Sequence, residues 1–116
     1  MRNYFSRKEE QCPCCKQGGL LPDFRDRLNK ARELAGIPFV LNSAYRCDKH
    51  NRDIGGTSMS SHLVGCAVDI KVRGSRERYL IVNALLQAGI HRIGISKTFI
   101  HADDDMTKDP QVIWLY

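Results

Sequence analysis

The stretch Ser60–Asp69, with the sequence SSHLVGCAVD, restricts the possible folds of this 116-residue chain more than any other segment. It places His62 in a turn-rich region and Asp69 in an apolar run that predicts a strand. A buried charge without a partner is energetically costly, so Asp69 needs one. His101 lies in a second apolar run near the C-terminus and has the same need. The sequence therefore predicts a fold in which these two strands come together.

Two imidazoles and one carboxylate, with a fourth position left to water, form a ligand set that catalytic zinc uses. The spacing of His62, Asp69 and His101 differs from the His-Glu-x-x-His arrangement, in which both histidines share one helix face. His62 alone is better interpreted as a loop histidine that bonds solvent or backbone. Together, the three residues predict a metal site built from a turn and two strands.

We expect one domain over residues 1–116, because a chain of this length can bury one modest core. Its 42% hydrophobic and 27% charged residues are typical of a soluble globular protein. No apolar run approaches the roughly 20 residues that span a bilayer, and residues 1–5 begin no signal peptide. We therefore expect synthesis in the cytoplasm without a signal peptide, and no membrane partner.

The formal net charge of +5 would attract polyanions such as nucleic acid or an anionic cell wall only mildly. Lysine and arginine are dispersed along the chain and form no long run of like charges. This distribution favours an ordinary solvated surface, and we expect no nucleic-acid partner.

The hydrophobic periodicity predicts an α+β domain with a small, mainly antiparallel sheet and flanking helices, because helices and strands do not alternate regularly. Residues 1–22 are predicted to be irregular, with Tyr4 and Phe5 placed on the core. A long loop is predicted over 47–61, and Ser75 is predicted to cap the second helix. The predicted helices cover 23–35 and 75–88, and the predicted strands cover 39–46, 66–72, 91–95, 99–103 and 112–116.

The five cysteines are an odd number, and without a secretion signal a disulfide framework is a poor default. Cys12, Cys14 and Cys15 could hold a second, structural zinc ion only with a fourth ligand from elsewhere in the chain. No matching Cys-x-x-Cys pair supplies one, so we do not expect this ion. Packing of the thiols as small buried hydrophobic groups is at least as good an interpretation.

Three motifs give the chain a close resemblance to a known family. Ser60–Asp69 matches Ser-x-His-x-x-Gly-x-Ala-x-Asp in full, Ser43–Arg46 resembles a Ser-x-Tyr-Arg strand end, and Phe99–Asp103 resembles a second signature. In these motifs the chain is similar to the zinc D-Ala-D-Ala carboxypeptidase family of peptidoglycan peptidases, peptidase M15, and more narrowly to its small branch in bacteriophages and bacteria. Further matches to that branch are His50–Asn51, Gly55–Gly56 and Trp114.

The resemblance implies a fold like that of D-Ala-D-Ala peptidases and hedgehog signalling domains. It also implies one catalytic zinc ion, held by His62, Asp69 and His101, that would polarise the scissile carbonyl and activate water. Arg46 matches the arginine that contacts the substrate or the reacting carbonyl, where its planar fork suits a carboxylate or oxyanion. Ser60 would position the substrate through its hydroxyl. The alternatives are a surface arginine and a turn serine.

The resemblance does not place the general base. Better-known branches carry a glutamate three residues before the last ligand or a histidine two before it, and this chain has Thr98 and Phe99 there. Asp103 is the candidate substitute, because residues 101 and 103 of a regular strand point to the same face. It could equally orient a ligand histidine. Other polar residues are expected to be structural or solvated: Asp104, Asp105, His50 and His91.

These observations favour a zinc-dependent peptidase that hydrolyses stem or cross-link peptides of peptidoglycan, as a D-Ala-D-Ala carboxypeptidase or an endolysin-type endopeptidase. We expect a monomer that reaches the cell wall after release from the cell or within a virion. The missing glutamate before His101 motivates an alternative, a zinc-binding virion structural or binding domain without turnover. A third hypothesis, a cysteine module that binds nucleic acid, lacks basic residues interleaved with aromatic ones.

Overall fold

A computed structural model describes residues 2–116 as a five-stranded sheet with flanking helices. The helices are α1 (Arg7–Glu10), α2 (Pro22–Ala35), α3 (Asp48–Asp53) and α4 (Ser75–Gln87), and a 3-10 turn covers Ser61–Leu63. The strands are β1 (Leu41–Ser43), β2 (Ala67–Lys71), β3 (Arg92–Ile95), β4 (Phe99–Asp103) and β5 (Val112–Leu115). No helix in this described part of the chain has the length and apolar character needed to cross a lipid bilayer.

The sheet has the strand order β1-β2-β4-β3-β5. Strand β1 pairs with β2, β2 with β4 and β4 with β3 in antiparallel orientation, and β5 joins β3 in parallel. The prediction of an α+β domain with a mainly antiparallel sheet and flanking helices is confirmed. Because β2 and β4 both lie inside the sheet, their side chains are better enclosed than those of the edge strands.

Alternation along β2 and β4 separates an apolar face of the sheet from a polar one. Val68 and Ile70 of β2, with Ile100 and Ala102 of β4, are fully buried in the hydrophobic core. The residues between them point to the opposite face, as the period of two requires. That opposite face carries two of the predicted metal ligands, Asp69 and His101.

Helices α2 and α4 pack against each other and contribute their apolar sides to the core. Helix α2 buries Phe24, Leu28 and Ala31 at the three- and four-residue steps expected from the sequence. It begins at Pro22, where a missing N–H removes no helical bond, and ends at Gly36 with a φ of 70°. The first predicted helix is therefore confirmed.

Two predictions about the helices were wrong. The N-terminal segment 1–22 is not wholly irregular, because Ser6 Oγ accepts from the Glu9 amide and the Glu9 carboxylate accepts from the Ser6 amide, which caps α1. Ser75 is the first residue of α4 and not its N-cap, a position that Gly74 takes. Two aromatic residues of the N-terminal segment contact the core as predicted: Tyr4 and Phe5.

The predicted strand 39–46 and loop 47–61 were both too long. The strand keeps only β1, because the chain leaves the sheet at Ala44, whose carbonyl oxygen bonds a side chain of the 3-10 turn. The loop contains α3 and the start of the 3-10 turn, and Cys47 caps α3 by accepting from the amide of His50. Side-chain contacts that the local pattern does not reveal therefore give this region its structure.

Candidate metal centre

The pairing of β2 with β4 places Asp69 directly opposite His101. Directly opposed residues in an antiparallel pair hold their Cβ atoms about 5 Å apart, so both side chains emerge at one point on the polar face. The Asp69 side chain is 15% exposed and that of His101 10%, which leaves each accessible from one side only. The two strands thus bring these residues together, as the sequence predicted.

His62 reaches the same point from the 3-10 turn. Its Nδ1 lies 2.7 Å from the carbonyl oxygen of Ala44. Because a carbonyl oxygen only accepts, Nδ1 donates its proton there, which leaves Nε2 as the nitrogen that faces the cluster. That Nε2 lies 3.4 Å from Oδ1 of Asp69.

Asp103 orients His101 in a similar way. Nε2 of His101 lies 2.7 Å from Oδ2 of Asp103, and Nδ1 lies 3.1 Å from Oδ1 of Asp69. Burial alone would lower the pKa of His101, but its hydrogen bonds to Asp103 and Asp69 and their charges raise it. The two carboxylates therefore stabilise a positive charge on the ring of His101.

The two distances to Oδ1 of Asp69 fit a tetrahedral metal ion with bonds of the length that zinc makes. Metal bonds of about 2.0–2.1 Å separate the ligand atoms of a tetrahedron by about 3.3 Å. The observed 3.4 Å for His62 and 3.1 Å for His101, each measured to Oδ1 of Asp69, lie on either side of that value. A histidine nitrogen faces a carboxylate oxygen favourably only with a proton or a metal ion between them. The three residues therefore fit a metal by position and by donor chemistry.

Asp103 is almost fully buried and is held by several donors. Its Oδ1 accepts from Arg92 Nε at 2.7 Å and from the amide of Asp105 at 3.0 Å, while Oδ2 accepts from His101. Burial alone would raise the pKa of Asp103, but the bond from His101 and these donors lower it. Of the two roles that the sequence leaves open, these contacts match the orientation of a ligand histidine.

Arg46 lies beside the cluster, where three partners hold its guanidinium. Its Nε donates to Ser43 Oγ at 3.0 Å, Nη1 to Asn51 Oδ1 at 3.2 Å and Nη2 to Asp69 Oδ2 at 3.4 Å. Asn51 is 2% exposed and donates to the carbonyl oxygen of Thr57 at 2.7 Å. The orientation of Arg46 therefore depends on both β1 and α3.

Asn51 is the contributor to the site that sequence reasoning missed. The sequence pointed to Asn51 only through the match of His50–Asn51 and Gly55–Gly56 to the family pattern. That match did not indicate which residue Asn51 contacts. In the fold, a Cβ on Gly56 would collide with Oδ1 of Asn51, so the glycine makes room for the amide. The two residues together hold α3 against Arg46.

The cluster opens into a cleft of about 320 Å³, which has an aromatic wall. The ring of Trp114 lies 5.4 Å from that of His101, and the ring of Phe99 lies 5.1 Å from that of Tyr116. Gly94 lies beneath this wall, and a Cβ there would come within 2.6 Å of both Trp114 and Tyr116. The glycine thus allows the last strand to pack its aromatic side chains beside the metal ligands.

Ser60 lies at the edge of the cleft and at the start of the 3-10 turn. It lines the cleft, and its Oγ accepts from the amide of His62 at 3.3 Å, which caps the 3-10 turn. Of the four described histidines, His62 and His101 line the cleft, whereas His50 and His91 lie elsewhere. His91 is exposed, and its Nε2 lies 3.2 Å from the carbonyl oxygen of Leu86.

The loop after β4 contains a further difference from the prediction. Asp105 was expected to be a solvated turn residue, but it is buried and accepts from Ser61 Oγ at 2.7 Å and from the Thr107 hydroxyl at 2.6 Å. Burial alone would raise its pKa, but the bonds from Thr107 and Ser61 lower it to about 2. Asp104 is only partly exposed and pairs with Arg27 at 2.6 Å. Both carboxylates anchor this loop to the rest of the fold.

Comparison with known proteins identifies one protein family. A family model described as peptidase M15 matches residues 3–103 of the chain. The matched range contains Arg46 and the three candidate ligands, and it ends before β5, which carries part of the aromatic wall. Comparison with curated proteins gave no match.

Proposed function

The chain belongs to the peptidase M15 family, and from this premise we propose that it is a zinc peptidase that hydrolyses peptide bonds of peptidoglycan. The family match and the cluster of His62, Asp69 and His101 support a metallopeptidase in general. The observation that carries the proposal is the convergence of two histidine nitrogens on one carboxylate oxygen inside a cleft.

Zinc suits this donor set, because two imidazoles and one carboxylate leave a fourth position for water or substrate. Bound there, zinc would act as a Lewis acid that polarises a peptide carbonyl and lowers the pKa of water. The protein keeps both histidines in one tautomer, since the Ala44 carbonyl orients His62 and Asp103 orients His101. Removal of such outer partners typically weakens metal binding by about 10–100-fold.

Arg46 would stabilise the negative charge that develops on the carbonyl oxygen of the substrate. Its bonds to Ser43, Asn51 and Asp69 hold the guanidinium in place, so little reorganisation is needed as the charge forms. A guanidinium has more N–H donors than these three bonds use, which leaves donors for the substrate. Removal of one preorganised donor of this kind lowers kcat by about 10²–10³.

Peptidoglycan peptides match the chemistry of the cleft. Their carboxylates would meet Arg46 and Lys108, and Ser60 can donate its hydroxyl hydrogen to a peptide carbonyl. The aromatic wall would pack against alanine methyl groups. These features suit both a D-Ala-D-Ala carboxypeptidase and an endopeptidase that cleaves the stem or cross-link. We propose that the protein acts as a monomer on the cell wall, after release from the cell or within a virion.

The direct test is mass spectrometry of the products that the zinc-loaded protein forms from defined muropeptides. We expect cleavage that a strong chelator abolishes and added zinc restores, at a bond identified by the product masses. His62→Ala should lose the zinc ion of the cleft and cleavage. His91→Ala, which changes an exposed histidine outside the cleft, should retain both. Cleavage that continues undiminished in the presence of the chelator would contradict the proposal.

Asp103 allows a finer test, because the two roles considered for it predict different measurements. We propose that it positions His101. In Asp103→Asn the amide cannot accept on both sides, so zinc affinity should fall by about 10–100-fold and saturating zinc should restore most of the activity. If Asp103 were instead the general base, zinc affinity would be unchanged and kcat would stay low at every zinc concentration.

A second candidate function is a zinc-binding virion structural or binding domain without turnover. Both carboxylates that line the cleft already have partners, which favours this candidate. Asp69 faces the two ligand histidines, and Asp103 bonds His101 and Arg92. The general base is then unassigned. Stoichiometric zinc with no muropeptide product, even at high protein concentration, would favour this candidate.

A further inference from the structure

A second cluster of possible metal ligands lies apart from the cleft and consists of Cys12, Cys14, Cys15 and Cys47. The sequence indicated the first three but not the fourth, which is distant along the chain. A backbone contact brings the two segments together, because the amide of Tyr45 donates to the carbonyl oxygen of Glu10 at 3.2 Å. Cys12 and Cys47 each lie two residues beyond this contact, on the same side of it.

The sulfur atoms are spaced as ligands of one ion. The Sγ atoms of Cys12 and Cys14 are 3.5 Å apart, those of Cys12 and Cys47 3.6 Å, and those of Cys14 and Cys47 3.3 Å. Together with Cys15, all lie within 4.8 Å of one another. Zinc–sulfur bonds of about 2.3 Å place tetrahedral sulfurs about 3.8 Å apart, whereas a disulfide bond is about 2.05 Å long. Nearly equal separations among three sulfurs match a shared ion and not a pairwise bond.

The backbone around the first three cysteines forms a tight loop that aims them at Cys47. The amide of Cys12 donates to the carbonyl oxygen of Gln17 at 2.9 Å, and the amide of Lys16 donates to that of Cys12 at 2.8 Å. Lys16 adopts a φ of 57°, which is uncommon for a residue other than glycine. The fold therefore closes this loop although the local conformation is unfavourable.

The exposure of Cys14 and Cys15 argues against the interpretation that the clustered cysteines pack as small buried hydrophobic groups. Cys12 is buried and could pack as a small apolar group, but Cys14 and Cys15 are exposed. Cys66 is buried in the hydrophobic core outside the cluster and fits that interpretation fully. Exposed thiols that converge on one point gain little from packing, whereas metal binding would account for their convergence.

We propose that Cys12, Cys14, Cys15 and Cys47 bind one structural zinc ion that ties the N-terminal segment to α3. Four thiolates leave no open position, so the ion is structural and not catalytic. Cys47 directly follows Arg46 and caps α3, which carries Asn51, so the ion braces the side of the cleft that holds the guanidinium. A small domain gains stability from such a cross-link, and this inference does not depend on the proposed peptidase activity.

The first test counts zinc in protein purified under reducing conditions with zinc present. We expect two zinc ions per chain in the unchanged protein and one in the double variant Cys14→Ser/Cys15→Ser, which alters exposed side chains. Cys66→Ala is the matched control, because it removes a cysteine outside the cluster, and it should retain two ions. A double variant that retains as much zinc as the unchanged protein would overturn the proposal.

The second test uses cobalt and needs no cysteine variant. A cobalt ion bound by several thiolates shows intense sulfur-to-metal charge-transfer absorption, which a histidine and carboxylate site does not. We expect this absorption in the unchanged protein and in His101→Ala, which disrupts only the cleft site. Absence of this absorption from both proteins would refute the proposal. Alkylation of the unfolded protein that labels a single thiol would also refute it, because the other four of the five cysteines would then be paired in disulfides. Loss of peptidase activity would leave these readouts unchanged, so the two proposals fail separately.

Discussion

Gly65→Ala should destabilise the protein more than alanine at another left-handed glycine. Gly65 has a φ of 84°, and a Cβ there would lie 2.6 Å from the carbonyl oxygen of Gly19. That backbone cannot easily retreat, because the amide of Leu21 donates to the carbonyl oxygen of Gly65 at 2.8 Å. The glycine thus allows the N-terminal segment to pack directly against the turn that carries His62.

The expected magnitude has two parts. A residue with a Cβ in the left-handed region costs roughly 1–2 kcal/mol, and forcing a methyl group into a packed site adds about 1–3 kcal/mol, so the total is about 2–5 kcal/mol. Gly36→Ala is the matched control, because Gly36 has a φ of 70° but no atom within 4 Å of the position of its Cβ. It should lose only the first part, about 1–2 kcal/mol.

Urea unfolding of both variants at saturating zinc measures this difference. The free energy of unfolding comes from the midpoint and slope of each curve, and similar slopes would show that the unfolding transition is comparable. For a domain of this size, 1 kcal/mol corresponds to a Tm change of about 3–6 °C, so the two variants should differ clearly. Equal destabilisation by Gly65→Ala and Gly36→Ala would refute the argument from close approach.

Four further predictions concern the site and its supports. Arg46→Lys should lower kcat by about 10²–10³ in muropeptide cleavage without changing zinc content, since an ammonium lacks the planar fork; an unchanged kcat would contradict the role. Asn51→Ala should lower the free energy of unfolding by about 1–3 kcal/mol in urea, because its buried amide bonds are lost, and a neutral result would contradict this. Glu10→Gln should lower the free energy of unfolding by about 1–3 kcal/mol, because it breaks the ion pair with Arg25 at 2.6 Å. The loss should be smaller than for a fully enclosed ion pair, since the Arg25 side chain is 31% exposed, and no loss would argue against the pair. Zinc affinity at the cleft should fall as the pH falls, because a protonated His101 ring cannot bind metal. Since the pKa of His101 is raised, the fall should begin above the ordinary histidine pKa of about 6.5. Titration calorimetry that shows a fall in affinity only below that pH would refute this.

Local sequence patterns were sufficient for the two long helices and for the central strands of the sheet. The steps between Phe24, Leu28 and Ala31 predicted α2, since a period near 3.6 places them on one side of a helix. The apolar neighbours of Asp69 and His101 predicted β2 and β4, since short apolar runs favour strands. Helix caps and loop structure were predicted less well, because they depend on side-chain bonds such as that between Ser6 and Glu9.

Contacts between distant segments were beyond the reach of such patterns. Asn51 belongs to a polar loop in the sequence, and only its burial beneath Arg46 makes it part of the site. Asp105 follows two other aspartates, and only its contact with Ser61 distinguishes it from a solvated turn residue. Cys47 similarly completes a four-thiol cluster only because the N-terminal segment folds back onto β1.

The sequence by itself determined which side chains can bind a metal, because imidazole and carboxylate chemistry belongs to the residues wherever they lie. The motif around His62 and Asp69, with His101, was enough to predict the ligand set and the family. Only the tertiary structure decided which atoms face the metal position and what Asp103 contacts. That decision depends on the register of β2 against β4 and on the carbonyl of Ala44, and such pairings between distant segments are set by packing of the whole core.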